Sequence, residues 1–364
     1  MRPGFSWTFV LCAALLAGSS CAQTTPAQTT PKAALLVLSK QDHTLAIVDP
    51  ATLAVVARIP VGDDPHEVIA SSDGATAYVS TYGFGAFHTL AVIDLVGQKR
   101  LPSIDLGALR GPHGLTFVHG KVWFTAEAAK AIGSYDPATA QIDWIMGTGQ
   151  NRTHMLYVFP DARRVLTTNV NSATVTILDK TEGRPGGPPP GMPPPGGPPP
   201  GSPRSPGFRP PPGPPGGDWQ LTVVPVGRGS EGFDVSPDGT ETWVANAGDG
   251  TVSIIDLAAK KVTATLAANV PGANRLKFTP DGKLVLVSAG PDLVFLDAAT
   301  HQEIKRLVTG HDSGGIQVQP DGARAYESCG SDGYVVVIDL KTLEVVGHIS
   351  AGGGPDGLAW AVRQ

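Results

Sequence analysis

From about residue 33 to its end, this chain is built of short runs in which β-branched and other apolar residues alternate with polar ones. That period of two predicts strands rather than helices. Seven of the runs end in an acid, at Asp49, Asp94, Asp136, Asp179, Asp256, Asp297 and Asp339, and the spacing is 41 to 45 residues except for one gap of 77. The long gap holds an insertion of about 34 residues, and without it the period holds throughout. A repeat in the forties filled with β-type runs is the pattern of propeller blades, not of a helical solenoid.

The clearest copy runs Gly232–Val235, a Ser236-Pro237-Asp238-Gly239 turn, Thr242–Asn246, Thr251–Asp256 and Lys261–Leu266. Pro-Asp-Gly and Asp-Gly turns between alternating runs read as antiparallel hairpins. The turn recurs at Ser72–Gly74, Thr279–Gly282 and Gln319–Gly322, and is degraded to His119-Gly120 and Pro160-Asp161-Ala162 in two copies. Ala34–Leu38 matches the second strand of a blade, whereas Gly357–Val362 matches a first strand. The two ends therefore share one blade, which predicts an all-β, seven-bladed β-propeller of four-stranded antiparallel blades.

The stretch Thr251–Ser288 (TVSIIDLAAKKVTATLAANVPGANRLKFTPDGKLVLVS), with Tyr78-Val79-Ser80-Thr81 and Trp243-Val244-Ala245-Asn246, resembles the YVTN family of bacterial β-propeller repeats. The resemblance covers about residue 33 to the end and speaks to fold more than to function. Lactonase-type and lyase-type propellers and the haem d1 domain have similar repeats. No CxxCH for haem attachment is present, and neither haem nor nucleotide is expected.

The N-terminus reads as a signal peptide, residues 1–22, with Arg2, an apolar run Phe9–Ala17 and a small-x-small site at Ser20-Cys21-Ala22. Cleavage after Ala22 is favoured over lipidation of Cys21, because Gly18 stands where a lipobox wants Leu. Residues 23–32 read as a linker, 33–364 as the propeller, and the protein as periplasmic or secreted. Only Cys329 lies clear of the signal, so no internal disulfide is expected. A formal charge of −5 without a basic run argues against nucleic acid as a partner. No apolar run is long enough to span a bilayer as a helix. The chain reads as a monomer whose partner is a small ligand or another exported protein. The insertion, residues 184–217, holds 17 of the 34 prolines and reads as a surface loop of polyproline II type between the third and fourth strands of one blade.

Aligning the residue seven before each turn aspartate gives His66, His113 (its turn one residue short), His154, Glu231, Asn274 and Gly314, with Asp356 seventh by its Pro-Asp-Gly context. These positions start the innermost strands, so they ring the mouth of the central channel. His66, His113, His154 and Glu231 form a candidate ligand set for a divalent metal ion. Asn274, Arg275 and Asp356 are candidates for ligand binding, Arg275 by gripping an anion, and Glu231 and Arg275 are the catalytic candidates. Tyr82, Phe84, Phe87 and His88 lie in a loop on the same face and suggest an aromatic wall. A Pro-His turn inherited with the repeat explains His66 and His113 without a ligand, but not His154, which sits in Arg152-Thr153-His154-Met155. No Gly-x-Ser-x-Gly elbow and no cysteine pair is present. Two functions fit: a binding or scaffold protein working at the channel mouth, or a metal-dependent hydrolase or lyase of lactonase type. In the second, Glu231 is a further ligand or the general base.

Overall fold

Seven four-stranded antiparallel sheets form a ring, with two single 3₁₀ turns as the helical content of the described residues. The computed structural model describes residues 29–181 and 218–364, together with Met1 and Gly4. The expected signal peptide, most of the linker and the Pro-rich insertion lie outside the described residues. We number the blades by their inner strands: blade 1 begins at Pro65–Ala70, blade 2 at Pro112–Val118, blade 3 at Thr153–Val158 and blade 4 at Ser230–Val235. Blades 5, 6 and 7 begin at Ala273–Phe278, Ser313–Val318 and Pro355–Val362.

Blade 7 closes the ring as the end-to-end pattern implies. Ala33–Ser39 pairs antiparallel with Pro355–Val362, from Ala33 opposite Val362 to Ser39 opposite Pro355. Every blade face is covered by the next blade, so strands such as Leu35-Leu36-Val37-Leu38 are buried on both sides and read as continuous apolar runs. The buried side chains fall into seven clusters among the described residues, one for each blade–blade interface.

The recurring acids have a local cause. In six blades the Asp accepts a hydrogen bond from the backbone N–H two residues on, as Asp49 does from Ala51, Asp136 from Ala138 and Asp339 from Lys341. This Asx turn folds the chain back between the third and fourth strands. Asp179 is followed by the insertion and instead pairs with Arg164 and Lys260, at 2.6 Å each. The blade bridges the insertion nonetheless, since Thr174–Lys180 pairs with Trp219–Pro225 through to Lys180 opposite Trp219.

Candidate site at the channel mouth

In all seven blades the ladder between the inner strand and its neighbour skips the second and third inner residues. The bulged pairs are His66-Glu67, His113-Gly114, His154-Met155, Glu231-Gly232, Asn274-Arg275, Gly314-Gly315 and Asp356-Gly357. A bulge frees its residues from the ladder and re-aims their side chains. The freed backbone N–H still needs a partner. A second-strand hydroxyl supplies it in four blades: Ser80 for Glu67, Thr125 for Gly114, Thr168 for Met155 and Ser288 for Arg275. The same hydroxyls of Thr125, Thr168 and Ser288 donate to the next blade's inner carbonyls, at His154, Glu231 and Gly314. The Ser or Thr of the YVTN-like run thus welds neighbouring blades together beneath the mouth.

Gly114 sets the tightest approach at the site. A Cβ there would stand 2.7 Å from the carbonyl oxygen of His154 and 2.8 Å from Cα of Met155. Its absence lets blades 2 and 3 close until the rings of His113 and His154 lie 3.9 Å apart. The His66 ring follows at 4.9 Å from His113, and Tyr82 stands edge-on to both, at 5.0 Å from His66 and 5.4 Å from His113.

Glu127, just beyond the second strand of blade 2, completes the centre. One of its oxygens meets Nδ1 of His154 in a short contact, and the other accepts from the Tyr82 hydroxyl at 2.6 Å. His113, Glu127 and His154 are all buried and present donor atoms within 4.8 Å of one another. Nε2 of His154 lies 2.6 Å from Glu231, yet off the line of a hydrogen bond, and Nδ1 of His113 is buried without a partner. Arg152 donates to Glu231 at 3.0 Å and lies 3.6 Å from Glu127, tying the two acids together.

The remaining positions are engaged in other ways. His66 places its ring nitrogens 3.2 Å from Asp64 and 3.4 Å from Asp356, and Asp356 also holds Lys40 at 2.8 Å. Arg275 is buried, bonded to the side chain of Asn274 and paired with Glu67. Glu67 belongs to blade 1 and Arg275 to blade 5, so this ion pair crosses the channel and gives the mouth a floor. Gly314 brings no side chain. Cys329 is fully buried between blades 5 and 6, where desolvation pushes its thiol up to about 12.

Charges follow from these contacts. Burial drives His113 well below its ordinary pKa, with His154 and His66 adding to it, so its ring is neutral. Burial opposes charge on His154 as well, but Glu231 and Glu127 outweigh it and raise the pKa. Glu231 is desolvated too, yet His154 and Arg152 pull it down to about 2. Burial pushes the Tyr82 phenol up to about 12, with Glu127 adding to it, so the phenol stays protonated. Two carboxylates therefore flank one imidazole and favour a positive charge between them, which the protonated ring of His154 can itself carry.

No family model and no curated protein sequence matches the chain. Solved structures do match in fold. A hydrazine synthase chain of Kuenenia stuttgartiensis shares 15% identity at a TM-score of 0.65, over 90% of this chain and 99% of that one. A 6-phosphogluconolactonase-like protein of Bacteroides uniformis shares 12% at 0.68, over 90% and 99%. A functionally unknown protein of Desulfotomaculum acetoxidans shares 12% at 0.68, over 91% and 99%. At such identities the likeness is one of fold: the chain is a seven-bladed β-propeller with a closed, polar channel mouth.

Proposed function

We propose that the chain is an exported propeller of YVTN repeat type whose channel mouth holds a divalent cation and, through it, a small ligand. The observation that carries this reading is the buried trio His113, Glu127 and His154, three donors of the kind zinc, manganese, iron and copper accept. The orphaned Nδ1 of His113 supports it, because a buried nitrogen without a partner is costly unless something binds it. Three protein donors leave a coordination position for water or ligand, and Tyr82 and Arg152 orient the shared carboxylate as outer partners do in metal sites. His66 serves as a neighbour of the centre, its nitrogens turned to Asp64 and Asp356.

Metal analysis of protein purified without chelators, followed by calorimetric titration of the stripped protein with zinc and manganese, tests the reading. One equivalent is expected. His113→Ala and His154→Ala should abolish binding, while His66→Ala keeps it. Equal binding in all four proteins, or none in the parent, overturns the proposal.

A second reading, a metal-dependent hydrolase or lyase of lactonase type, is favoured by Glu231. Its carboxylate lies 2.6 Å from a nitrogen of His154 and is steered by Arg152, which places it to orient or accept from a metal-held water. Turnover of a lactone panel lost in Glu231→Gln with metal content unchanged separates catalysis from binding alone.

A further inference from the structure

We infer that the groove beside the mouth, between the loops that carry Phe84 and Arg110, receives the aromatic arm and carboxylate of an aryl carboxylate. The inference deepens the reading of the mouth as a ligand site. The groove encloses about 380 Å³ and is lined by Phe84, Ala86, Ala108, Arg110 and Ala128 among others. It shares its wall with the centre, for Ala128 follows Glu127 directly. The Phe84 ring lies 6.4 Å from Tyr82, whose own ring leans on His66 and His113.

Two observations say what would fill it. Phe84 is 93% exposed and holds a left-handed backbone, φ 50°, in a loop that is otherwise tied down. Asp64 accepts from the N–H of Gly83, Gly111 donates to the carbonyl of Phe87, and Arg110 donates to that of Ala86. A large apolar ring kept in water at the cost of backbone strain is an arrangement that persists where it serves a ligand. The second observation is charge. The Arg110 guanidinium donates from Nε and one Nη to the carbonyl of Ala86 and has no acidic partner among the described residues, while Arg152, Arg275 and Lys40 at the mouth are each paired to acids. The edge of this guanidinium turned away from Ala86, at the rim of the groove, takes a carboxylate, and the ring between them packs on Phe84. Alanines along the walls leave room for a flat ring.

The test uses 2-naphthoate and its neutral counterpart 2-naphthylmethanol, titrated by fluorescence into the full chain, stripped of metal and zinc-loaded. Naphthoate should saturate, and the alcohol should bind about fivefold or more weakly. Phe84→Ala should weaken both probes by about that factor, whereas Arg110→Gln should weaken naphthoate alone. Both side chains are exposed, so unchanged melting curves should accompany these effects. His113→Ala should leave binding to the stripped protein intact, so the groove and the metal centre fail separately. Naphthoate that does not saturate, or binds equally to both groove variants, overturns the assignment. Binding that appears only with zinc and vanishes in His113→Ala puts the carboxylate on the metal and overturns it too, while leaving the metal reading in place.

Discussion

Glu67 and Arg275 come from opposite sides of the ring, 208 residues apart in sequence, and join in a buried ion pair across the channel. Neither is in the neighbourhood of the other until the ring exists. Each is costly to bury alone, so the pair reports on the whole circle of blades.

Removing one partner should therefore hurt more than removing both. Arg275→Met is expected to cost about 3–5 kcal/mol by stranding the Glu67 carboxylate. Replacing both, Glu67→Leu with Arg275→Met, should recover most of that loss. Urea midpoints of the two single variants and the double variant check it.

Ligation by the mouth should appear as stability. Zinc at about a hundred times its dissociation constant should add about 2.7 kcal/mol to unfolding, reversed by chelator. A His113→Ala protein should show no such increment in the same thermal scan.

Glu327 governs a pH dependence of its own in blade 6. It occupies the strand position held by Val79, Val244 and Val287 in other blades, fully buried with neither oxygen hydrogen-bonded. Burial lifts its pKa from 4.5 to about 7; the hydroxyls of Thr309 and Ser313 oppose this, though neither is placed to bond an oxygen, and Asp292 adds to it. The nearby Cys329 thiol stays neutral over this range. The unfolded chain releases this proton first, so stability is full below about pH 4.5 and falls as pH rises towards 7, by about 3 kcal/mol at most. Glu327→Val should abolish that slope and raise the melting temperature at pH 8.

The hairpins between third and fourth strands carry a hidden strain. Four residues after the Asp, the chain is left-handed at Leu53, Gln98, Ala140, Lys260, His301 and Leu343, with φ between 52° and 62°. None of these is glycine. Ala140 is exposed, so Ala140→Gly should gain about 0.5–1 kcal/mol by relieving strain without losing contacts, as chemical denaturation would show.

These turns also mark where the sequence becomes hard to read. Asp49 and five of its counterparts betray the period because the Asx turn requires that one side chain. The left-handed position four residues on admits Leu, Lys or His, and so leaves no trace. At the mouth, the first bulge position could be aligned from the turns, which brought out His66, His113, His154, Glu231, Asn274 and Asp356. Glu127 escaped because it belongs to another ring of equivalent positions, the residue just past each second strand. Those residues are Lys40, Tyr82, Glu127, Val170, Ala247, Gly290 and Gly330. Polar groups there cluster in the adjacent blades 7, 1 and 2, and that clustering was a usable signal. That Glu67 meets Arg275 had no such signal, since the contact depends on the diameter of the closed ring.

The shared blade makes the molecule a judge of its own length. Ala33–Ser39 has one edge fixed to Thr44–Asp49 and the other waiting for Pro355–Val362. Thr30 adds a latch, bonded to Leu95 of blade 1 and to Arg363 beyond the last strand. Five blades form from contacts within some forty residues and blade 3 from contacts across its insertion, but the seventh must wait for a partner more than three hundred residues away. A chain broken off before residue 355 would hold nearly all its native contacts and still present a bare, sticky strand. The pairing of Ala33–Ser39 with Pro355–Val362 is what closes that open edge.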